Sequence, residues 1–369
     1  MNSSQINRCC SICEHEVDVI EVCYPLFRHL DFTTISKGGD FLKCTYCQTI
    51  FNSNAIIAEQ STFGTKDYAA SHQTEHTMHI DGYAKPVQRT FLQAKLLAAN
   101  FIPNQNCRIL DIGCFDGRLL IELDGLLKNS DLWGYDINHH LESVFPKRGN
   151  FHFVSTSLND ISESFDLITL SYSIFYIPDL SELMVSIYRL LKKDGVLFIQ
   201  APDIEINPYY SLMGDQSYVF TKISLTNVLN HFGYSLEVIT HEYFQTALMV
   251  IARKNKSKIS INYQNDDTFE NNIEKIKRFK QNLKNIKNQN IAVLGSTVNA
   301  AFADQIMDKK ILCFLDENPS KIGKLFRNIK ILHPKEMITT TTTIIPYGIP
   351  GNKIKERFEN LYRGSFMVI

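Results

Sequence analysis

The chain has 369 residues, too many for one ordinary domain and enough for two or three. Hydrophobic residues make up 44%, sufficient for a real core, while 38 basic residues against 39 acidic ones leave a net charge of -1, without the basic excess that a nucleic-acid or anionic-membrane surface requires. The longest apolar runs, such as Ala247 to Ala252, are far too short to cross a bilayer, and the opening residues lack the apolar stretch of a secretion signal, so a cytoplasmic protein with reduced cysteines is expected.

Five of the nine cysteines lie before residue 45, and four cysteines form two pairs, Cys10-Ser-Ile-Cys13 and Cys44-Thr-Tyr-Cys47. A C-x-x-C turn aims two thiolates at one point, and two such turns complete a tetrahedral sulfur cage suited to a closed, structural zinc ion. The long separation between the pairs reads as an inserted strand-rich loop, with Val17 to Val22 as its first strand. A redox role for either pair lacks the βαβ context it would need, so the competing reading is a set of reduced, unliganded thiols. Cys9 and Cys23 are expected to be bystanders, and His15 and His29 surface residues.

From residue 61 the composition turns polar and aromatic (Phe63-Gly-Thr-Lys-Asp67-Tyr68 to His72 and His76), followed by a helix over Val87 to Asn100. Such a segment, placed just before the next strand, is positioned either to cover a ligand or to remain solvated.

The stretch Arg108-Ile-Leu-Asp111-Ile-Gly113-Cys-Phe-Asp116-Gly117-Arg-Leu-Leu reads as strand, glycine turn and helix. The turn leaves unpaired N–H groups at the helix start and lets a ligand approach the backbone. A second strand, Leu132 to Tyr135, ends in Asp136, and a carboxylate there can accept both hydroxyls of a ribose, with Ile137 beside it. The glycines do not follow the G-x-G-x-x-G spacing of a dinucleotide site. Asp111-x-Gly113-x-x-Asp116-Gly117 instead resembles the first motif of class I S-adenosylmethionine (SAM) methyltransferases, with Phe115 where that family commonly has a further glycine.

Strand and helix patterns then alternate as in a doubly wound sheet. Phe151 to Val154 and Phe165 to Leu170 are the third and fourth strands, and the fourth runs into Ser171-Tyr172-Ser173, placed to face a methyl donor or acceptor or simply to cap the core. A helix over Leu180 to Leu191, a Lys-Lys-Asp194-Gly195 turn, a strand over Val196 to Gln200, a helix over Leu225 to His231 and a hairpin of Ser235 to Phe244 with Ala247 to Arg253 complete the set.

The order Asp-x-Gly…Asp, Phe165-Asp-Leu-Ile, Tyr188-Arg-Leu-Leu-Lys-Lys-Asp-Gly195 and Ala201-Pro-Asp203, preceded by two C-x-x-C pairs and followed by a further α/β segment, resembles the zinc-containing sugar C-methyltransferases that act on nucleotide-linked keto-deoxysugars. The resemblance implies an α/β fold in three parts: a zinc-ribbon-like module over residues 1-60, a Rossmann-like SAM-binding core over 61-255, and a linker helix with a Rossmann-like α/β domain over 256-369. It implies SAM as methyl donor, bound by Asp111, Gly113, Asp116, Gly117, Asp136, Ile137, Ser171 and Tyr172; a structural Zn2+ on Cys10, Cys13, Cys44 and Cys47; and a nucleotide-linked sugar as the partner.

One departure bears on mechanism. The family's Tyr-His-Glu-His run, which supplies its base, is replaced by Met213-Gly214-Asp215-Gln216, followed by Ser-Tyr218. Carbon methylation needs removal of a proton beside a carbonyl, which Gln216 cannot do and a desolvated Asp215 can. Asp215 reads equally as a turn residue. Asp215, Gln216 and Tyr218 are the candidate catalytic residues. Methylation of oxygen or nitrogen, a methyltransferase-like scaffold without catalysis, and a dehydrogenase, against which the glycine spacing counts, are the alternatives.

In the last third, apolar residues recur every three or four positions from Phe269 to Ile286, an amphipathic helix. Gly295 after one strand and Asp316 ending the next repeat the strand-turn-helix arrangement, as a second nucleotide pocket or a ligand-free scaffold. Thr339 to Thr343 read as the entry to a further strand.

Overall fold

The computed structural model describes residues 9–28, 31–53, 77–78, 87–101, 106–255, 264–287, 290–308, 310–337 and 341–369. The segment from Phe63 to His76, His29 and residues 256–263 lie outside them. The chain forms two compact units, each assembled from three stretches: Met1–Val19, Phe41–Asp203 and Gln216–Asp266 in the first, and Ile20–Asp40, Ile204–Asp215 and Asp267–Ile369 in the second.

Near the N-terminus run short strands β1 (Val17–Val22), β2 (Leu26–Phe27), β3 (Thr34–Ser36), β4 (Gly39–Cys44) and β5 (Ile50–Asn52), then β6 (Thr77–Met78) and β7 (Val87–Gln88). The main sheet of the first unit follows: β8 (Arg108–Ile112), β9 (Asp131–Tyr135), β10 (Phe151–Val154), β11 (Phe165–Ser171), β12 (Leu191–Pro202), β14 (Tyr234–Ile239) and β15 (Ala247–Lys254), with β13 (Tyr218–Val219) pairing β5 instead. Its seven strands are ordered β10-β9-β8-β11-β12-β15-β14. The pairs from β10 through β12 are parallel, and β15 runs antiparallel to both β12 and β14. This is a Rossmann-like sheet, and strand order reverses between β8 and β11, where crossovers leave in opposite directions, the place at which ligands of such sheets bind.

Period-two alternation places Leu110, Ile112, Ile168, Leu170, Leu197 and Ile199 in one apolar cluster and Ile109, Leu167, Val196 and Phe198 in another, so both sheet faces are buried. Helices α1 (Arg89–Asn100) and α2 (Arg118–Asp124) bring Leu92, Leu97, Leu119, Leu120 and Leu123 to the second cluster. Helices α3 (Leu180–Leu190) and α4 (Lys222–His231) cover the first. Both of these start at side-chain caps: Asp179 accepts from the Glu182 N–H at 2.8 Å, and Thr221 with Ser224 forms a capping box.

Two local expectations change. The Lys-Lys-Asp-Gly turn is a bulge inside β12, where Phe165 pairs Leu191 but Leu167 already pairs Val196, so exposed Lys192, Lys193 and Asp194 are looped out without ending the strand. The hairpin's first strand stops at Ile239, and Glu242–Phe244 forms a 3-10 turn held by the His241 side chain accepting from the Tyr243 N–H.

In the second unit α5 (Thr268–Lys284) leads to a six-stranded sheet ordered β18-β19-β17-β16-β20-β21, made of β16 (Ile291–Leu294), β17 (Ile311–Leu315), β18 (Leu325–Phe326), β19 (Ile329–Leu332), β20 (Thr342–Ile345) and β21 (Ser365–Val368). All its strand pairs are parallel except β18 with β19. Helices α6 (Val298–Met307) and α7 (Ile349–Leu361) complete it. Buried Asn272 of α5 donates to the Ile204 carbonyl at 2.8 Å, tying the stretch from Ile204 into this unit.

Candidate functional site

Beyond the carboxyl end of β8 the backbone turns sharply. Gly113 and Gly117 have φ of 79° and 74°, and Phe115 between them takes φ of 51°, a left-handed conformation that costs a bulky residue energy. The turn is held by the Gly113 N–H donating to the Tyr135 carbonyl at 2.8 Å and by the Phe115 N–H donating to Asp136 Oδ2 at 3.1 Å. A Cβ at Gly113 would lie 2.5 Å from Ser173 Cβ, and one at Gly117 2.8 Å from the Phe145 ring. Both glycines are therefore required by close approach as well as by φ.

Asp136 stands at the tip of β9. Its Oδ1 accepts from the Asn138 N–H at 3.0 Å, so each oxygen already holds one backbone donor. A carboxylate offers about four lone-pair sites, which leaves capacity for a pair of vicinal hydroxyls. Burial pushes its pKa up, and the two backbone bonds partly oppose the rise. Ile137 next to it is 58% exposed, an apolar surface suited to a flat ring. Asp116 faces the start of α2, where its Oδ1 accepts from the Arg118 N–H at 3.1 Å.

The end of β11 closes the other side. Ser173 Oγ donates to the Ile112 carbonyl at 2.6 Å, and Gln93 of α1 donates to Ser171 Oγ. Tyr172 has φ of 57°, and the Arg89 guanidinium lies over its ring at 4.4 Å from the centroid. Gln93, Arg89 and Thr169 were not legible as site residues, because a lone polar side chain within an apolar periodic segment reads only as an interruption.

Gln216 is buried, and its Nε2 makes no hydrogen bond among the described residues. The Tyr218 hydroxyl donates to the Pro178 carbonyl at 2.7 Å, and its ring packs on Phe51 and Phe220. Asp215, in the second unit, is buried directly after Gly214, whose N–H donates to the Phe27 carbonyl at 2.8 Å. Tyr209 stacks on Phe279.

Cys10, Cys13, Cys44 and Cys47 come together, their sulfurs all within 4.8 Å of one another. Cys10 and Cys47 are 3.6 Å apart, and Cys13 and Cys44 3.5 Å. The edge of a sulfur tetrahedron around an ion with bonds of about 2.3 Å is roughly 3.8 Å. Backbone N–H groups of Ile12, Tyr46 and Cys47 point at Cys10 and Cys44 sulfurs at 3.3–3.4 Å. The residues following each pair, Glu14 and Gln48, have φ of 63° and 61°, so both turns fold back alike. Hydrogen bonds from Cys10 and Cys47 pull Cys44 down, while Cys10 is pushed up by the bonds it shares with Cys44 and Cys47.

In the second unit Gly295 follows β16 with φ of 90°, and Asp316 ends β17. Asp316 Oδ2 accepts from Ser296 Oγ at 3.0 Å and pairs with Lys321 at 3.3 Å, while the Tyr347 hydroxyl covers Gly295.

Residues 83–241 match the family model of a methyltransferase domain. Solved structures of similar fold include a proposed SAM-dependent methyltransferase of Methanococcus maripaludis, with 20% identity, a TM-score of 0.37 and coverage of 46% of this chain and 87% of that one. A SAM-dependent methyltransferase of Clostridium acetobutylicum has 16% identity, a TM-score of 0.34 and coverage of 45% and 89%. The YcgJ protein of Bacillus subtilis has 13% identity, a TM-score of 0.38 and coverage of 45% and 99%. No curated protein matches the chain. Among the described residues no helix is long and apolar enough to cross a membrane.

Asp111, inside the site, supplies a titration test. It is buried at the end of β8, where Thr169 Oγ donates to its Oδ1 at 2.6 Å, and burial pushes its carboxyl up to about 7 against that bond. A group with a raised folded pKa binds protons more tightly in the folded chain, so its contribution is fully present below the ordinary carboxylate value of 3.8 and is lost as pH rises through about 7. Denaturant unfolding of the wild type should lose on the order of a few kcal/mol across that window, and Asp111→Asn should remove this decline. The same pH dependence in both proteins would show that another group titrates.

Proposed function

We propose that this chain transfers a methyl group from SAM to a nucleotide-linked keto-deoxysugar, with carbon as the methylated atom. The observation that carries the SAM reading is Asp136, anchored by the Phe115 and Asn138 N–H groups at the mouth of a glycine turn, with lone pairs left for a ribose. Asp111, Gly113, Asp116, Gly117, Ile137, Ser171 and Tyr172 would complete the holding surface. The group supplies an electrophilic methyl on a sulfonium. This chain's residues would orient it, exclude water and receive the acceptor. The sugar reading is supported by the succession of cysteine pairs, methyltransferase sheet and second parallel sheet that the sequence resemblance implies. Asp136→Ala should weaken SAM binding by roughly 1.5–3 kcal/mol, and Gly113→Val should abolish it. Calorimetry finding unchanged affinity in both variants would place the donor elsewhere.

The four-cysteine cluster we assign to a structural Zn2+, which the sulfur spacing and the N–H donors to sulfur favour. Purified protein should carry about one zinc per chain, and Cys44→Ser should lower the melting temperature more than it alters SAM affinity. Metal analysis finding no zinc after mild purification would reject the assignment.

For carbon transfer the proton-removing role falls to Asp215, since of Asp215, Gln216 and Tyr218 it alone has the chemistry of a base near neutral pH. Solvent deuterium should enter the keto-sugar carbon without SAM, and Asp215→Asn should suppress that exchange while sparing SAM binding. Methylated product with no exchange in the wild type would point to a hydroxyl acceptor.

A further inference from the structure

At the ends of β11 and β12 the first unit holds buried polar groups that packing does not explain. Gln200, fully buried on β12, makes no hydrogen bond of good geometry through either amide atom among the described residues. The Arg89 Nε is likewise buried and without a partner, although the residue as a whole is partly exposed. Leaving such groups unpaired costs free energy, and more for a charged one. Both border the same phenol. Arg89 stacks on Tyr172, and both Arg89 and the Gln200 amide lie near enough to its hydroxyl to oppose the rise that burial imposes on it. The Tyr172 backbone is held left-handed, its N–H donating to the Gln200 carbonyl at 2.8 Å. A strained tyrosine with two unsatisfied donors beside it, at the strand ends where ligands of such sheets bind, is a site built for an oxygen.

Resting on the methyl-transfer reading above, we propose that Gln200 and Arg89 form the subsite for the acceptor's carbonyl oxygen, with the Tyr172 hydroxyl beside it, and that Gln200 Oε1 accepts from the hydroxyl next to that carbonyl. The chemistry selects an α-hydroxy ketone: two N–H donors match the lone pairs of the keto oxygen, and one amide oxygen matches the neighbouring O–H. Removal of the adjacent C–H proton by the base shifts that electron pair toward oxygen and creates an enolate, whose charge the guanidinium and amide hold in place. When the carbon bonds the methyl group, the methyl–sulfur bond breaks with its electron pair kept by sulfur, and the carbonyl re-forms.

Gln200→Met and Arg89→Met test this in the full chain. The probe is a thymidine diphosphate-linked keto-deoxyglucose, followed by deuterium uptake without SAM and by kcat/KM with it; SAM affinity is measured in parallel by calorimetry. Each variant should lose roughly tenfold to a hundredfold in uptake and in kcat/KM, with SAM affinity retained. Because Arg89 is partly exposed, its variant reports even where a change at Gln200 impairs folding. Wild-type uptake in a folded Arg89→Met protein overturns the subsite. A wild type that binds SAM but neither binds nor exchanges the keto-sugar overturns the keto-sugar reading together with the subsite, and one that does not bind SAM overturns the donor site as well.

Discussion

The hydrogen bond from the Phe115 N–H to Asp136 Oδ2 is the contact on which the site depends. It joins the turn after the first core strand to the tip of the second, so the backbone donors of the turn and the carboxylate of the neighbour move as one. Two glycines and a left-handed phenylalanine let the chain reach that geometry. The strain at Phe115 is opposed by a charge-assisted bond, and by the Gly113 and Cys114 N–H groups, both donating to the Tyr135 carbonyl.

Behind this turn the sheet concentrates acidic groups where water is scarce. Burial raises the cost of ionising Asp111 and Asp136, and the nearby Asp136 and Asp116 add to it at Asp111. Thr169 gives Asp111 one compensating bond, and backbone N–H groups serve Asp136. Cys114, buried among the same carboxylates, has its thiol pushed well up and is therefore inert.

The cysteine cluster solves a different problem. The N-terminal strands are short, two to six residues, and supply little apolar area of their own. Cys10, Cys44 and Cys47 nevertheless reach the cluster of buried side chains that also contains Leu110, Ile168 and Leu170 of the main sheet. Two turns of matching backbone shape, far apart in sequence, thus become part of the same packed body.

The sequence by itself determined the elements whose signals are local. Apolar period and glycine placement marked the strand, turn and helix around Gly113, Asp136 fell at a strand end, and each C-x-x-C pair declared its own turn. Backbone freedom and side-chain period are properties of a few consecutive residues, so they can be read without knowing what lies across the sheet. Tertiary structure decided the rest: that Lys192 to Gly195 loop out of a continuing strand, that Phe115 occupies a left-handed position, and that Tyr218 spends its hydroxyl on Pro178. It also decided that Ile20–Asp40 and Ile204–Asp215 group with the C-terminal stretch in one compact unit. Arg89 and Gln200 lie far apart in sequence and gained meaning only when strand order set both beside Tyr172, because an unsatisfied hydrogen bond is a property of the space around an atom and leaves no periodic trace in the chain.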